Sequence, residues 1–271
     1  MGWLSAFIHL LTGRAVNTNN FPISYVHTAM KNRSSTIVLV CCIVAIMLLQ
    51  VSGSRAKDVA PAAKDSTYPP TLLKPKSYLA LGDSYTIGQS IDSQGRYPAQ
   101  AASLLLARGI SIPVIHYIAV TGWTTLNLQN AIAAENLTDT FDMVTLLIGV
   151  NDQYQGVDTG TYTIRFTQLL QTSVTFARGN KSHVVVISIP DYGVTQFGDG
   201  NAAISAQIDE FNAINKRVTD AAGIAYLNLT TLSRAAATDN TLLASDGLHY
   251  SPKEYLLWAD TLAPMMYNAL K

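Results

Sequence analysis

From Ser77 to the carboxyl terminus, short runs rich in Val, Ile, Leu and Tyr alternate with longer stretches whose apolar residues recur at spacings of three and four. The short runs, at 78–81, 114–120, 143–148, 184–189 and 224–229, predict five strands. Runs of this kind interleaved with helices argue for a parallel sheet covered on both faces, an α/β fold. Ile204, Ile208, Phe211, Ile214, Val218 and Ala221 form one apolar stripe and predict the clearest helix. A second is expected over about 161–178, with Phe166, Leu169, Leu170 and Val174 inward and Gly179 as its stop. Ser251-Pro252-Lys253-Glu254 announces the last helix, combining a capping box with proline at the first helical position. With no internal repeat, residues 77–271 read as one domain of ordinary size.

The first 76 residues follow another pattern. An unbroken apolar run at 37–49 is preceded by Lys31 and Arg33 and followed by Ser52, Gly53, Ser54 and Ala56. It is short for a membrane span of about 20 residues but suits the core of a secretory signal, and Ser54-Arg55-Ala56 is a small-x-small cleavage site. Residues 30–56 are therefore expected to be a signal peptide or, uncleaved, an amino-terminal anchor. Translation is expected to start at Met30, leaving residues 1–29 as an extension. Residues 57–76, with Pro61, Pro69, Pro70 and Pro75 among Ala, Lys, Ser and Thr, read as an extended linker.

Composition sharpens this division. The whole chain is 48% hydrophobic and 13% charged, with no formal net charge. No acidic residue precedes Asp58, whereas Arg14, Lys31, Arg33 and Arg55 do, so the remainder carries 14 basic and 18 acidic residues, a net charge of −4. A charged fraction about half the usual quarter argues against a nucleic-acid partner, which needs many phosphate-neutralising cations. Both cysteines, Cys41 and Cys42, fall in the apolar run. An exported domain would then have no thiol for a disulfide, a nucleophile or a metal.

In a parallel α/β sheet the carboxyl ends of the strands share one edge, where ligands bind. Gly82-Asp83-Ser84-Tyr85-Thr86 follows the first predicted strand, Thr121-Gly122-Trp123 the second and Gly149-Val150-Asn151-Asp152 the third, while Asp246-Gly247-Leu248-His249 precedes the last helix. This is the set acyl transfer needs. A serine hydroxyl is a weak nucleophile until a base takes its proton, imidazole is the usual base, and a carboxylate fixes the imidazole's tautomer. Ser84, His249 and Asp246 can fill those roles. The N–H groups of Ser84 and Gly122, with the Asn151 amide, can face an oxyanion. Neither D-x-x-H nor G-x-N-D is specific alone; their order and strand-end placement together are.

These blocks resemble those of the SGNH/GDSL serine hydrolases: Gly82-Asp83-Ser84 with Tyr85 in the leucine position, Gly122, Gly149-x-Asn151-Asp152 and Asp246-x-x-His249. The resemblance covers residues 77–271 and departs at Tyr117, where an asparagine is common five residues before the glycine. It implies a flavodoxin-like three-layer α/β/α sandwich with a five-stranded parallel sheet in order 2-1-3-4-5, which sets the ends of strands 1, 2 and 3 side by side. It also implies a hydrolase of carboxylic esters with catalytic Ser84, Asp246 and His249 and an oxyanion hole of Ser84, Gly122 and Asn151. An α/β-hydrolase elbow is disfavoured, because the G-x-S triplets ending at Ser84, Ser90 and Ser111 all lack the following glycine.

Other residues have plainer expected roles. Asp83 and Asp152 are expected to order their loops through nearby backbone. His116 and His183 are read as structural. No metal is expected, since neither thiols nor H-E-x-x-H are present, and no cofactor, since no G-x-G-x-x-G follows a strand and no G-x-x-x-x-G-K occurs. Trp123 and Tyr154, with Tyr85 and Tyr192, are candidates for a substrate pocket. The expected partner is a small-molecule, glycan or lipid ester, with membrane contact only through the amino-terminal segment. Carbohydrate O-deacetylation is the alternative activity, and a non-catalytic glycan- or lipid-binding surface domain the alternative of another class.

Overall fold

The computed structural model describes residues 74–271. The expected extension, signal or anchor segment, and all but the end of the linker lie outside the described residues. No helix among those described is long and apolar enough to cross a membrane.

The five strands are β1 (Tyr78–Gly82), β2 (Ile115–Ala119), β3 (Met143–Leu147), β4 (Val184–Ile187) and β5 (Ala225–Leu227). They form one parallel sheet in the order β2-β1-β3-β4-β5, as the resemblance implies. β1, β3 and β4 are buried along their whole length, whereas β2 and β5 at the edges are partly exposed. That gradient explains why the central strands read as unbroken apolar runs. β5 is shorter than its apolar run predicts. After Ser188 N–H donates to Leu227, the Ser188 hydroxyl accepts the next N–H, that of Leu229, so a side chain replaces the ladder and both Ile189 and Leu229 stay buried beyond it.

The helices are α1 (Ser84–Ile87), α2 (Tyr97–Ala107), α3 (Thr125–Glu135), α4 (Val150–Tyr154), α5 (Thr159–Phe176), α6 (Ala202–Ala222), α7 (Thr230–Ser233) and α8 (Pro252–Leu270). α2 packs against α8, α3 against α5 and α5 against α6, which completes a three-layer α/β/α sandwich. α6 buries Ile208, Phe211 and Ile214 of its predicted stripe, with Ile204 and Val218 packed on the core beside them. Ala221, at the end of that stripe, is exposed, while the polar Asn212, Asn215 and Thr219 are buried and hydrogen-bonded, the Asn215 amide nitrogen alone among their side-chain atoms lacking a partner among the described residues. Asn212 both accepts from Ile189 N–H and donates to Ile189 C=O, 2.8 Å each, and Asn215 accepts from Tyr162 at 2.6 Å. Satisfied polar groups can share a core face with apolar ones, and no hydrophobic period reveals them.

α8 begins as expected, with Pro252 first and Ser251 as cap. The second arm of the expected capping box does not form. The buried Glu254 accepts from the Trp258 indole N–H at 2.7 Å instead of turning back to the cap.

Register places the candidate site. Gly82 stands opposite Ala119 on one side and Leu147 on the other, so three adjacent strands end level. Ser84, Gly122 and Asn151 all follow within four residues of that row.

Candidate active site

Ser84 opens α1 directly after β1 and is 5% exposed. Asp83 caps this short helix, its Oδ1 accepting from Tyr85 N–H at 3.0 Å. Burial pushes the Asp83 carboxyl up to about 8, against the Tyr85 bond that lowers it and with the nearby Asp152 adding to the rise. Its second oxygen, Oδ2, is buried with no hydrogen-bond partner. The Thr86 hydroxyl and the Leu147 carbonyl crowd Gly82, so a Cβ there would force the turn apart. The Ser84 N–H has no acceptor among the described residues.

Gly122 lies in the turn after β2 with φ +83°, and its N–H likewise has no acceptor among the described residues. Its chain neighbours aside, no atom of the described residues lies within 4 Å of where a Cβ would stand. Glycine is needed there for the left-handed backbone rather than for space. Asn151, in α4, donates one amide hydrogen to the Trp123 carbonyl at 3.0 Å, which leaves the other free. Asp152 ties the same helix to α3, accepting from Thr125 N–H at 2.8 Å and from the Thr125 hydroxyl at 2.5 Å. Both Asp83 and Asp152 thus order their loops through backbone, as expected. Gly149 admits α4 beneath the Tyr162 hydroxyl with φ +128°.

The Asp246 loop is more tightly knit. Asp246 Oδ1 accepts from Leu248 N–H at 3.0 Å and from His249 N–H at 2.9 Å, while Oδ2 meets His249 Nδ1 and accepts from Ser90 Oγ, both at 2.6 Å. Partial burial opposes ionisation of Asp246, but the Ser90 hydroxyl, the His249 ring and the two backbone donors outweigh it and hold the carboxyl well below the usual range. An ionised carboxylate only accepts, so Nδ1 of His249 carries the proton and Nε2 is left as an acceptor. His249 is 7% exposed, its ring 5.4 Å from that of Tyr85.

Ser84, Gly122, Asn151 and His249 line one cavity of about 240 Å³, whose other walls are Tyr85, Thr121, Val150, Tyr154, Tyr192, Phe197 and Leu248. Asp246 stands behind His249. No hydrogen bond joins Ser84 Oγ to His249 among the described residues. Among the described residues, no Lys, Arg, Asp or Glu lines this wall. Trp123 does not line it either: its side chain packs on the core, and its carbonyl, rather than its ring, serves the site by holding Asn151. Phe197 takes the place expected of Trp123, with Tyr154 and Tyr192 each 6.3 Å from it between ring centres. Tyr154 is 62% and Phe197 54% exposed. Phe197 escapes the sequence because it lies eight residues beyond the β4 run; Phe197 N–H donates to Gly247 C=O, which fastens it to the Asp246 loop. Ser90 is missed too, its G-x-S triplet having no following glycine. A larger open groove of about 1030 Å³, between α2 and α8, touches Ser90 but none of Ser84, Gly122, Asn151 or His249.

His116 bonds Glu135 at 3.0 Å and does not line this cavity, and His183 sits in a turn ahead of β4. Tyr117, the departure in the second block, lies within β2 with the Arg96 guanidinium 5.5 Å from its ring centre.

The GDSL-like lipase/acylhydrolase family model matches residues 80–257. The chain belongs to that family and is a hydrolase acting on ester bonds. Solved structures share the fold: TesA, at 15% identity and TM-score 0.58, covers 72% of this chain and 100% of its own. A lipase/acylhydrolase from Enterococcus faecalis, at 20% identity and TM-score 0.57, covers 72% and 97%, and the acetylxylan esterase Axe2 from Geobacillus stearothermophilus, at 17% and 0.57, covers 72% and 95%. A search of curated protein sequences found no match.

Proposed function

We propose that the protein is an exported serine esterase working through an acyl-enzyme. The observation that carries this reading is that Ser84 and His249 line one small cavity while Asp246 fixes the tautomer that leaves His249 Nε2 basic. Ser84 Oγ attacks the acyl carbon as His249 Nε2 takes its proton. The tetrahedral oxyanion is held by the N–H groups of Ser84 and Gly122 and by the free Asn151 amide hydrogen, donors that need no rearrangement as charge develops. His249 then protonates the leaving alcohol, and water activated by the same nitrogen releases the acid and restores Ser84. The serine–histidine bond belongs to the substrate complex, where such bonds tighten. The neutral wall suits an uncharged ester and no nucleic acid. Export, with any membrane contact confined to the amino-terminal segment, rests on the apolar run and cleavage site at 37–56.

At ~30 Å³ per water, the cavity holds about eight water volumes, enough for an ester and one short flanking group. This size, with the open faces of Tyr154 and Phe197 at the rim, favours a second reading, O-deacetylation of a carbohydrate. Hydrolysis of p-nitrophenyl esters from acetate to laurate by the full chain tests both. Turnover that ends with Ser84→Ala supports the esterase, and a sharp preference for acetate selects the second reading. Equal rates in wild type and Ser84→Ala would remove the mechanism.

A further inference from the structure

Residues 89 and 90 touch neither face of the cavity, yet they hold both of its loops. Gln89 N–H donates to Ser84 C=O at 3.0 Å, and its side-chain Oε1 accepts from the Thr121 hydroxyl at 2.6 Å, next to Gly122. Ser90 Oγ donates to Asp246 Oδ2 at 2.6 Å across 156 positions of sequence. Among the described residues this is the one hydrogen bond joining the nucleophile turn, 83–90, to the loop at 244–249. The remaining three donors to Asp246 all come from its own loop. They set the carboxylate relative to His249 but not relative to Ser84.

Ser90 also keeps an unfavourable backbone. Its φ is +67°, a region that side-chain-bearing residues seldom adopt, and it is exposed, so no core packing demands that conformation. Strain of this kind persists where the surroundings require it. What the conformation achieves is the aim of Oγ at the same carboxylate oxygen that receives His249 Nδ1. Together the four donors fill the carboxylate's acceptor positions.

We propose that Gln89 and Ser90 form a clasp that sets the oxyanion turn and the Asp246–His249 loop against Ser84, with Ser90 the positioning residue for Asp246; this rests on the serine esterase reading. Ser90 shares Oδ2 with the imidazole, so it both fixes the carboxylate in place and draws part of its charge away from the ring. Without it, Asp246 is freer to swing, and its charge falls wholly on His249 and stabilises the imidazolium.

Ser90→Gly is the decisive variant, because glycine accepts φ +67° without strain while losing the hydroxyl. Its Tm should stay within about 3 °C of wild type. Its kcat/KM should fall about tenfold through lost alignment, and the acid limb of kcat/KM should move up by about half a pH unit. The Nδ1–H proton resonance of His249 should move downfield as its bond to Asp246 is no longer shared. Gln89→Ala should lower kcat without moving the acid limb, since it frees only the Thr121 side. A folded Ser90→Gly protein with wild-type kcat/KM, limb and resonance would overturn the clasp. If the wild type itself hydrolyses no ester, the esterase reading fails instead, and the His249 resonance alone decides whether Ser90 shares Asp246.

Discussion

Two loops meet at the cavity, each carries a carboxylate beside a catalytic candidate, and their surroundings drive the two acids in opposite directions. Asp83, in the nucleophile turn, is wholly buried with one oxygen unpartnered, and burial raises it to about 8. Asp246 is partly exposed with all its acceptor positions filled, and it is held well below the ordinary range. Depth of burial and hydrogen-bond supply together therefore settle which acid is charged. The charged one faces an imidazole, and the one that tends to keep its proton merely caps α1. Both acids are within three residues of a candidate, so sequence proximity alone would not have told them apart.

The two acids differ most in their effect on activity. Asp246→Asn should lower kcat about 10⁴-fold, because an amide can donate to Nδ1 and so stabilise the wrong tautomer. Asp83→Asn should stay within about tenfold, since an amide resembles the protonated acid it replaces. Steady-state kinetics on one p-nitrophenyl ester checks both, and comparable losses would erase the distinction. A smaller loss is expected on the oxyanion side. Asn151→Ala should cost about 10²–10³-fold in kcat with little change in KM, the pattern of a donor used in the transition state.

The smallest effect is on stability. A raised Asp83 means that the native state holds a proton that the unfolded chain has lost above about 3.8, so stability falls as pH rises from there towards 8. Asp246 acts in the other window: its contribution is present above 3.8 and is lost as pH falls below it. Thermal melts should show Asp83→Asn a few degrees above wild type at pH 8 and converging with it near pH 4. Asp246→Asn should lose only the acid-side dependence. Parallel curves across the whole range would refute the opposed titrations.

How far these features were legible in the sequence follows from their physics. Strands β1, β3 and β4 are buried on both faces, so hydrophobicity alone marks them. α5, α6 and α8 are long enough to show a stripe or a cap. α2 and α3 are short and alanine-rich, and none of their residues stands out in a periodic reading. Ser84, Gly122, Asn151 and His249 could be named because each follows a strand or precedes a capped helix, where topology leaves little freedom. Ser90 and Phe197 could not. Their placement depends on bonds to the Asp246 loop, Ser90 Oγ to the Asp246 carboxylate and Phe197 N–H to Gly247, and contacts between loops distant in sequence leave no local period. Trp123 is a wall candidate by type and position, whereas the chain uses its carbonyl to hold Asn151.

In the proposed mechanism Ser84 is the nucleophile, activated by His249. Treating the folded protein with a fluorophosphonate and weighing the intact chain tests it most directly, with the modified peptide then located by fragmentation. One adduct per chain is expected, on Ser84, absent from Ser84→Ala and formed far more slowly in His249→Ala. An unmodified Ser84 in a protein that hydrolyses esters, or equal labelling without His249, would contradict it.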